Sequence, residues 1–393
     1  MAFLTDLDRT YTTPEDICAH VGDEYARFMG AIVPPVFQNS LFVRPNAGNG
    51  VEDAGYVYTR ASNPTIDIAE RKIAALEGGE GALCFASGMG AISSAIMHFA
   101  RAGGHIVLVD SAYGCTLGLI RDYLSKRFAV EFTNVNGSSV EEIENAIRPN
   151  TTLIYLESPS SMLFRMQDIE QIARIARERG IGTIMDNSYS TPLYQQPLKY
   201  GIDIVCHTAS KYLGGHSDIV AGALASRDRD IITSIQDYER AWFGNNMDPH
   251  AATMLIRGIR TLQVRLPQHS ANAEKVVRFL ESDPRIIKVN YPGSATYGQN
   301  DLFHKYMKRA SGLLSFIPKG TEEQIRAFCA RLRYFQNGVS WGGFESLCVT
   351  SGVLDTTPEI GRKAFVVRMH IGLENVDTLI DDISQALEVL PKV

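Results

Sequence analysis

Three short features of this 393-residue sequence carry most of its chemistry. Lys211 lies in Thr208-Ala209-Ser210-Lys211-Tyr212, just beyond a strand-like run at Asp203–Cys206, and Asp186 ends a second run at Gly182–Met185. Ser87-Gly88-Met89-Gly90 follows a third run, Ala82–Phe85, and opens a helical pattern that reaches about Phe99. An amine forms Schiff bases, a carboxylate holds a pyridinium proton, and backbone N–H groups at a helix N-terminus cradle a phosphate. Those are the three demands of pyridoxal 5'-phosphate, and the hydroxyls of Thr208 and Ser210 are placed to add phosphate bonds. Taken singly, each feature is weak, because a strand-end Asp usually caps a turn and a lone Lys usually faces water. Together they favour the cofactor.

A dinucleotide reading competes for the same loop, since Gly88-x-Gly90 is followed by a run ending in Asp110, twenty residues after Gly90. Ser93 stands where the third glycine of that fingerprint belongs. The fingerprint is therefore incomplete, and a nicotinamide enzyme is the weaker alternative.

Positioning such groups takes a sheet whose strand ends converge. Between about residues 80 and 225, the runs Ile106–Val109, Leu153–Leu156, Thr183–Met185 and Ile202–Val205 alternate with amphipathic stretches such as Ile169–Glu178, which stops at Gly180. That rhythm predicts an α/β fold with a mostly parallel sheet, which gathers ligands at the carboxyl ends of its strands. Residues 1–62, rich in Asn, Gly, Pro and aromatics, read as an arm that packs on something else, and 63–256 as the cofactor domain. Residues 257–393 read as a smaller α+β domain, led into by a long helical stretch at Asp248–Glu281. Strands are expected there near Ile286–Val289, Gly312–Ile317 and Ala364–Ile371, with helices at Glu322–Arg333 and Val376–Val389.

Composition narrows the function. Lys+Arg 38 against Asp+Glu 44 gives a net charge of -6 with no cationic block, which argues against nucleic acid or a membrane surface as partner. Gly81–Ala100 contains no Asp, Glu, Lys or Arg, yet Gly88, Gly90, Ser93, Ser94 and His98 break its apolar character, so a glycine turn and a buried helix are expected. Met1–Arg9 holds two aspartates and no apolar core, so no signal peptide is expected. The six cysteines are scattered without a CxxC pair, which predicts a reduced, cytoplasmic setting. The nine histidines are scattered too, and no metal site is expected.

The strings Tyr58-Thr59-Arg60-x-x-Asn63-Pro64-Thr65, Leu76-Glu77-Gly78-Gly79-Glu80, Ser87-Gly88-Met89, Asp110-x-x-Tyr113-Gly114, Leu156-Glu157-Ser158-Pro159 and Asp186-Asn187-x-x-x-Thr191-Pro192 occur in this order, followed by Ser210-Lys211-Tyr212-Leu213-Gly214-Gly215-His216-Ser217-Asp218. In that order they resemble the transsulfuration (Cys/Met metabolism) family of fold-type I pyridoxal-phosphate enzymes. The resemblance implies a mostly parallel seven-stranded sheet domain, a small amino-acid substrate, and a homotetramer built as a dimer of dimers with shared active sites. By resemblance, Lys211 is the Schiff-base lysine and moves the Cα proton, Asp186 pairs with the pyridinium nitrogen, and Tyr113 stacks on the ring. The amides of Gly88 and Met89 and the hydroxyls of Thr208 and Ser210 take the phosphate, joined by Tyr58 and Arg60 from the neighbouring subunit. Arg368 matches the substrate-carboxylate arginine, and Ser340 the serine between that carboxylate and the lysine.

Every member of such a family removes Cα–H, so the reaction must be read from other positions. Trp341 in Ser340-Trp341-Gly342-Gly343-Phe344 and Ser161 in Glu157-Ser158-Pro159-Ser160-Ser161 are similar to the β-lyase branch. Arg257-Gly258-Ile259-Arg260-Thr261-Leu262 agrees with them. Cys115, in Tyr113-Gly114-Cys115, resembles the γ-lyases and reads either as a wall of the substrate pocket or as a small buried hydrophobe. The expectation is a carbon–sulfur lyase that cleaves L-cystathionine by β-elimination to homocysteine, pyruvate and ammonia. The alternatives are γ-elimination and γ-synthase chemistry.

Overall fold

The computed structural model describes residues 3–353 and 364–391. The apolar runs become buried strands in a set of seven, of which only β3 is half solvated: β1 Gly81–Phe85, β2 His105–Val109, β3 Glu131–Val135, β4 Thr151–Glu157, β5 Gly182–Asp186, β6 Ile204–His207 and β7 Gly222–Ser226. They form one sheet in the order β1-β7-β6-β5-β4-β2-β3. Neighbours from β3 through β6 run parallel, whereas β7 is antiparallel to both β1 and β6. The parallel strands β4, β5 and β6 therefore point their carboxyl ends the same way, and those ends deliver Glu157, Asp186 and the Thr208–Lys211 turn.

Helix ends follow local chemistry. Ser87 caps the helix Gly88–Phe99 by accepting the Gly90 N–H at 3.0 Å, so the uncharged stretch Gly81–Ala100 is β1, a turn and a helix. Among the described residues, no helix is long and apolar enough to cross a membrane. Asn63 and Pro64 start the helix Pro64–Glu77, and Gly78 ends it at φ 68°. That helix is buried almost all round. Its Glu70 accepts the Cys84 N–H of β1 at 2.9 Å and pairs with the Arg240 guanidinium, both side chains being at most 3% exposed.

The expected long helix at Asp248–Glu281 is two helices, Pro249–Arg260 and Leu262–Ser282, that meet at Thr261. Beyond them lies a second sheet of β8 Ile286–Asn290, β9 Leu313–Pro318, β10 Gln336–Asn337, β11 Leu347–Val353 and β12 Ala364–His370, in the order β10-β11-β12-β9-β8. Helices Glu322–Arg331 and Val376–Leu387 accompany it. Residues 354–363, within the expected C-terminal domain, lie outside the described residues.

Residues 3–28 pack on their own chain: Asp8 is gripped by Arg71 through Nε at 2.7 Å and Nη2 at 2.8 Å, with both side chains buried. From 29 to 62 there is neither helix nor named strand, and Met29 and Val43 are 97% and 65% exposed.

Removing Arg240 would leave the Glu70 carboxylate buried without its cation. Arg240→Ala is expected to cost the protein ~3–5 kcal/mol in urea unfolding, with Glu70→Gln in the same chain recovering part of the loss.

Candidate active site

A cavity of about 310 Å³ opens where the carboxyl ends of β4, β5 and β6 face the second sheet. Tyr113, Glu157, Asp186, Thr208 and Lys211 line it from the first sheet's side, and Ser340, Trp341 and Arg368 from the other. The two halves of the sequence thus meet in one site.

Lys211 donates from Nζ to Ser340 Oγ at 2.6 Å, and Nζ lies 5.4 Å from the centre of the Trp341 ring. Burial pushes its pKa down to about 8, helped by the positive charge of Arg368 and opposed by Asp186 and Glu345. Arg368 sits on β12 opposite Ser315 and Val349 and donates to the Val339 carbonyl. Burial lowers its pKa as well.

Asp186 is buried, and burial raises its pKa even though it accepts the Ser188 N–H at 2.9 Å. Glu157 lies beside it in register on β4. Burial, with the Asp186 charge second, pushes Glu157 up to about 8. The Glu157 carboxylate accepts the backbone N–H of Tyr113 at 2.7 Å and so fixes the start of the segment that carries the Tyr113 ring. No role for Glu157 emerged from the sequence. Its signal was present in Leu156-Glu157-Ser158-Pro159, an acid closing an apolar run as Asp186 does.

Gly88 approaches Thr208 so closely that a Cβ there would lie 2.3 Å from Thr208 Oγ1, and a Cβ on Gly222 would meet the Ser87 carbonyl at 2.0 Å. Only glycine permits this approach. The N–H groups of Gly88 and Met89, at the first two positions of their helix, have no intrahelical acceptor, and Gly88 stands beside the Thr208 side chain.

The remaining sequence candidates are placed differently. Ser210 donates its hydroxyl to the Ala221 carbonyl at 3.2 Å and accepts the Ala221 N–H at 2.8 Å, so it braces the lysine turn and does not line the cavity. Cys115 is exposed beside the Tyr113 phenol, whose pKa is raised to about 12 by that thiol first and by burial second. Cys115 also stays outside the cavity wall. Tyr58 and Arg60 stack on each other, the guanidinium 5.2 Å from the ring centre, in the exposed 29–62 segment away from this cavity. Trp341 forms part of the wall and packs on Tyr212 at 5.5 Å. Ser161 lines the cavity too.

This donor set fits pyridoxal 5'-phosphate. Among the described residues no cation pairs with Asp186, so a buried carboxylate waits for a cationic N–H, while the free amides at Gly88 and Met89 suit an anion. A family model described as Cys/Met metabolism PLP-dependent enzyme matches residues 15–388. The chain belongs to that family. Among its relatives, L-methionine gamma-lyase of Pseudomonas putida is 38% identical over 375 residues, 91% of this chain and 93% of that protein. Cystathionine gamma-lyase of Bacillus subtilis is 37% identical, covering 93% and 96%. Cystathionine beta-lyase of Lactococcus lactis subsp. cremoris is 35% identical, covering 94% and 97%. The crystal structure of MetB from Corynebacterium glutamicum superposes with a TM-score of 0.89 at 34% identity, covering 97% of this chain and 99% of that one. The chain is thus a PLP-dependent enzyme of a family whose relatives are named as lyases.

The electrostatics of the site can be measured without turnover. In cofactor-free protein, Lys211 should react with an amine reagent with a half-maximal rate near pH 8, read by peptide mass spectrometry. Arg368→Leu should move that midpoint upward, because a nearby positive charge disfavours the protonated amine.

Proposed function

We propose that this enzyme cleaves L-cystathionine by β-elimination, releasing homocysteine, pyruvate and ammonia. The observation that carries the reading is Lys211, an amine eased toward its neutral form, held on Ser340 in the same cavity as Arg368 and Trp341. When bound, pyridoxal 5'-phosphate supplies an electron sink for the carbanion at Cα. Arg368 offers a guanidinium fork to the substrate carboxylate, which sets where Cα lies relative to Lys211. Lys211 in its neutral form takes the Cα proton, and Ser340 keeps Nζ aimed at that position. Asp186 would hold the proton on the cofactor's ring nitrogen, Tyr113, set in place by Glu157 through its amide, would lie against the ring, and Gly88, Met89 and Thr208 would bind the phosphate. The phenol of Tyr113, pushed up to about 12, stays protonated at neutral pH and supplies a proton to the departing sulfur.

β-elimination asks the least of these groups, since one base at Cα and one acid at sulfur complete it. Trp341 and Ser161 in the cavity wall support the same branch. A second reading is γ-elimination. It is favoured by the relatives named methionine and cystathionine gamma-lyase at 37–38% identity, and by Cys115 beside Tyr113.

Products decide between them. With L-cystathionine, pyruvate and homocysteine are expected, and 2-oxobutyrate with cysteine overturns the β assignment. Lys211→Ala should lose ~10³-fold or more in kcat with the fold intact by circular dichroism.

The exposed 29–62 segment also bears on assembly. We infer that it reaches a neighbouring subunit, within a homotetramer of dimers, so that Tyr58 and Arg60 complete the partner's phosphate site. Its exposed apolar side chains support this, Met29 and Ile32 being 97% and 75% exposed. The division into an arm at 1–62, a cofactor domain at 63–256 and a C-terminal domain at 257–393 belongs to the same proposal. A cytoplasmic setting agrees with six free cysteines. Co-expressing Lys211→Ala and Arg60→Ala chains, each inactive alone, should restore about a quarter of parental activity, because half the dimers then hold one intact site of two. Hybrids as inactive as their parents would place both residues in one subunit's site.

A further inference from the structure

Two cysteines outside the cavity wall touch each other. Cys329, on the helix Glu322–Arg331, and Cys348, on β11, have their sulfur atoms 3.7 Å apart, with the Cys348 thiol donating to Cys329. Both are free thiols; Cys348 is buried and Cys329 only partly so. We propose that Cys329 and Cys348 form a reversible disulfide when the protein meets a hydroperoxide, and that this bridge alters the cavity wall made by the loop Gly338–Trp341.

The chemistry follows from the asymmetry of the pair. The hydrogen bond from Cys348, with Arg326 nearby, lowers the Cys329 pKa, and Cys329 is the one that solvent reaches. Its thiolate attacks the peroxide oxygen, forming a sulfenic acid and releasing the alcohol, or water from hydrogen peroxide. The Cys348 thiol then attacks the sulfenic sulfur, the S–S bond forms, and the sulfenic oxygen leaves as water with the Cys348 proton. Overall, two thiols are oxidised by two electrons, which the hydroperoxide accepts. The sulfurs must close from 3.7 Å to the bond length of about 2.05 Å, a movement within reach of side-chain rotation and a small strand shift.

The shift has a defined route to the site. Cys348 lies in register with Asn337 of β10, and its carbonyl accepts the Gly338 N–H at 3.3 Å, immediately before Val339, Ser340 and Trp341. The next residue of β11, Val349, pairs with Arg368. Pulling Cys348 toward the helix therefore acts on the strand that borders both the lysine's hydroxyl partner and the cavity arginine. Displacements of about 1 Å in such a constellation are felt strongly in rate.

Arg331 and Arg333 lie between the two cysteines, so trypsin separates them unless a bridge holds them. Holoenzyme treated with hydrogen peroxide, alkylated and digested should give a cross-linked pair of peptides containing Cys329 and Cys348, which separates on dithiothreitol. Both cysteines recovered as alkylated single peptides, at a dose that already oxidises the exposed Cys115, would overturn the proposal. The second measurement rests on the lyase reading. Before treatment the enzyme must release a keto acid, and failure there is a failure of that reading alone. Treated holoenzyme should then lose about threefold or more in kcat/KM, regain it with dithiothreitol, and Cys329→Ser should resist the loss. An equal loss in Cys329→Ser would overturn the coupling to the site.

Discussion

The site depends on taking charges out of water at three adjacent strand ends. Parallel β4, β5 and β6 bring Glu157, Asp186 and Lys211 together in one buried corner. Each is pushed by desolvation toward its neutral form: both carboxyl pKa values rise, and that of Lys211 falls to about 8. Such an arrangement is poorly satisfied by the protein alone. Pyridoxal 5'-phosphate carries a ring nitrogen and an aldehyde, partners suited to a buried carboxyl and a buried amine, so its binding and the electrostatics of this corner are one problem.

The rest of the molecule serves to keep that corner dry and in register. Glycines at 88 and 222 let the turn after β1 lie against Thr208 and β7, where any side chain would overlap existing atoms. Glu70, gripped by Arg240, ties the helix Pro64–Glu77 to β1 behind the loop. On the far side, the second sheet contributes Arg368 through β12, and the loop after β10 contributes Ser340 and Trp341. Neither sheet holds the whole cavity wall, so residues more than a hundred positions apart, such as Lys211 and Ser340, meet in it.

Much of this was legible in the chain, and the exceptions have physical reasons. The helix at Ile169–Glu178 and that at Gly88–Phe99 have the limits read from periodicity and caps. β3, with Glu131, Thr133 and Asn134, is half solvated and lacks an apolar signature, and β7, Gly-Ala-Leu-Ala-Ser, is built from small residues because it packs beneath the glycine loop. Its antiparallel direction is a tertiary choice that no local pattern encodes. The run at Asp248–Glu281 reads as one helix because both of its helices bury apolar faces at helical spacing, and the break at Thr261 is a matter of backbone angle, φ -106° and ψ 4°.

The site residues divide in the same way. Lys211, Asp186, Gly88 and Thr208 were legible because strand ends and a glycine turn fix their places within short stretches of chain. Arg368 and Ser340 emerged only by resemblance, since their approach to Lys211 is made by the packing of one sheet against the other. Glu157 closes an apolar run in the sequence as Asp186 does, but its burial and its place in register beside Asp186 belong to the folded sheet. Ser210 has a second task that its place in the sequence does not show. A hydroxyl next to the lysine reads as a phosphate ligand, and in the folded chain the turn that aims Lys211 also needs the Ala221 N–H and carbonyl satisfied, which Ser210 does. A polar residue beside a catalytic one is as readily spent on holding the backbone as on the chemistry, and only the hydrogen-bond partners tell the two apart.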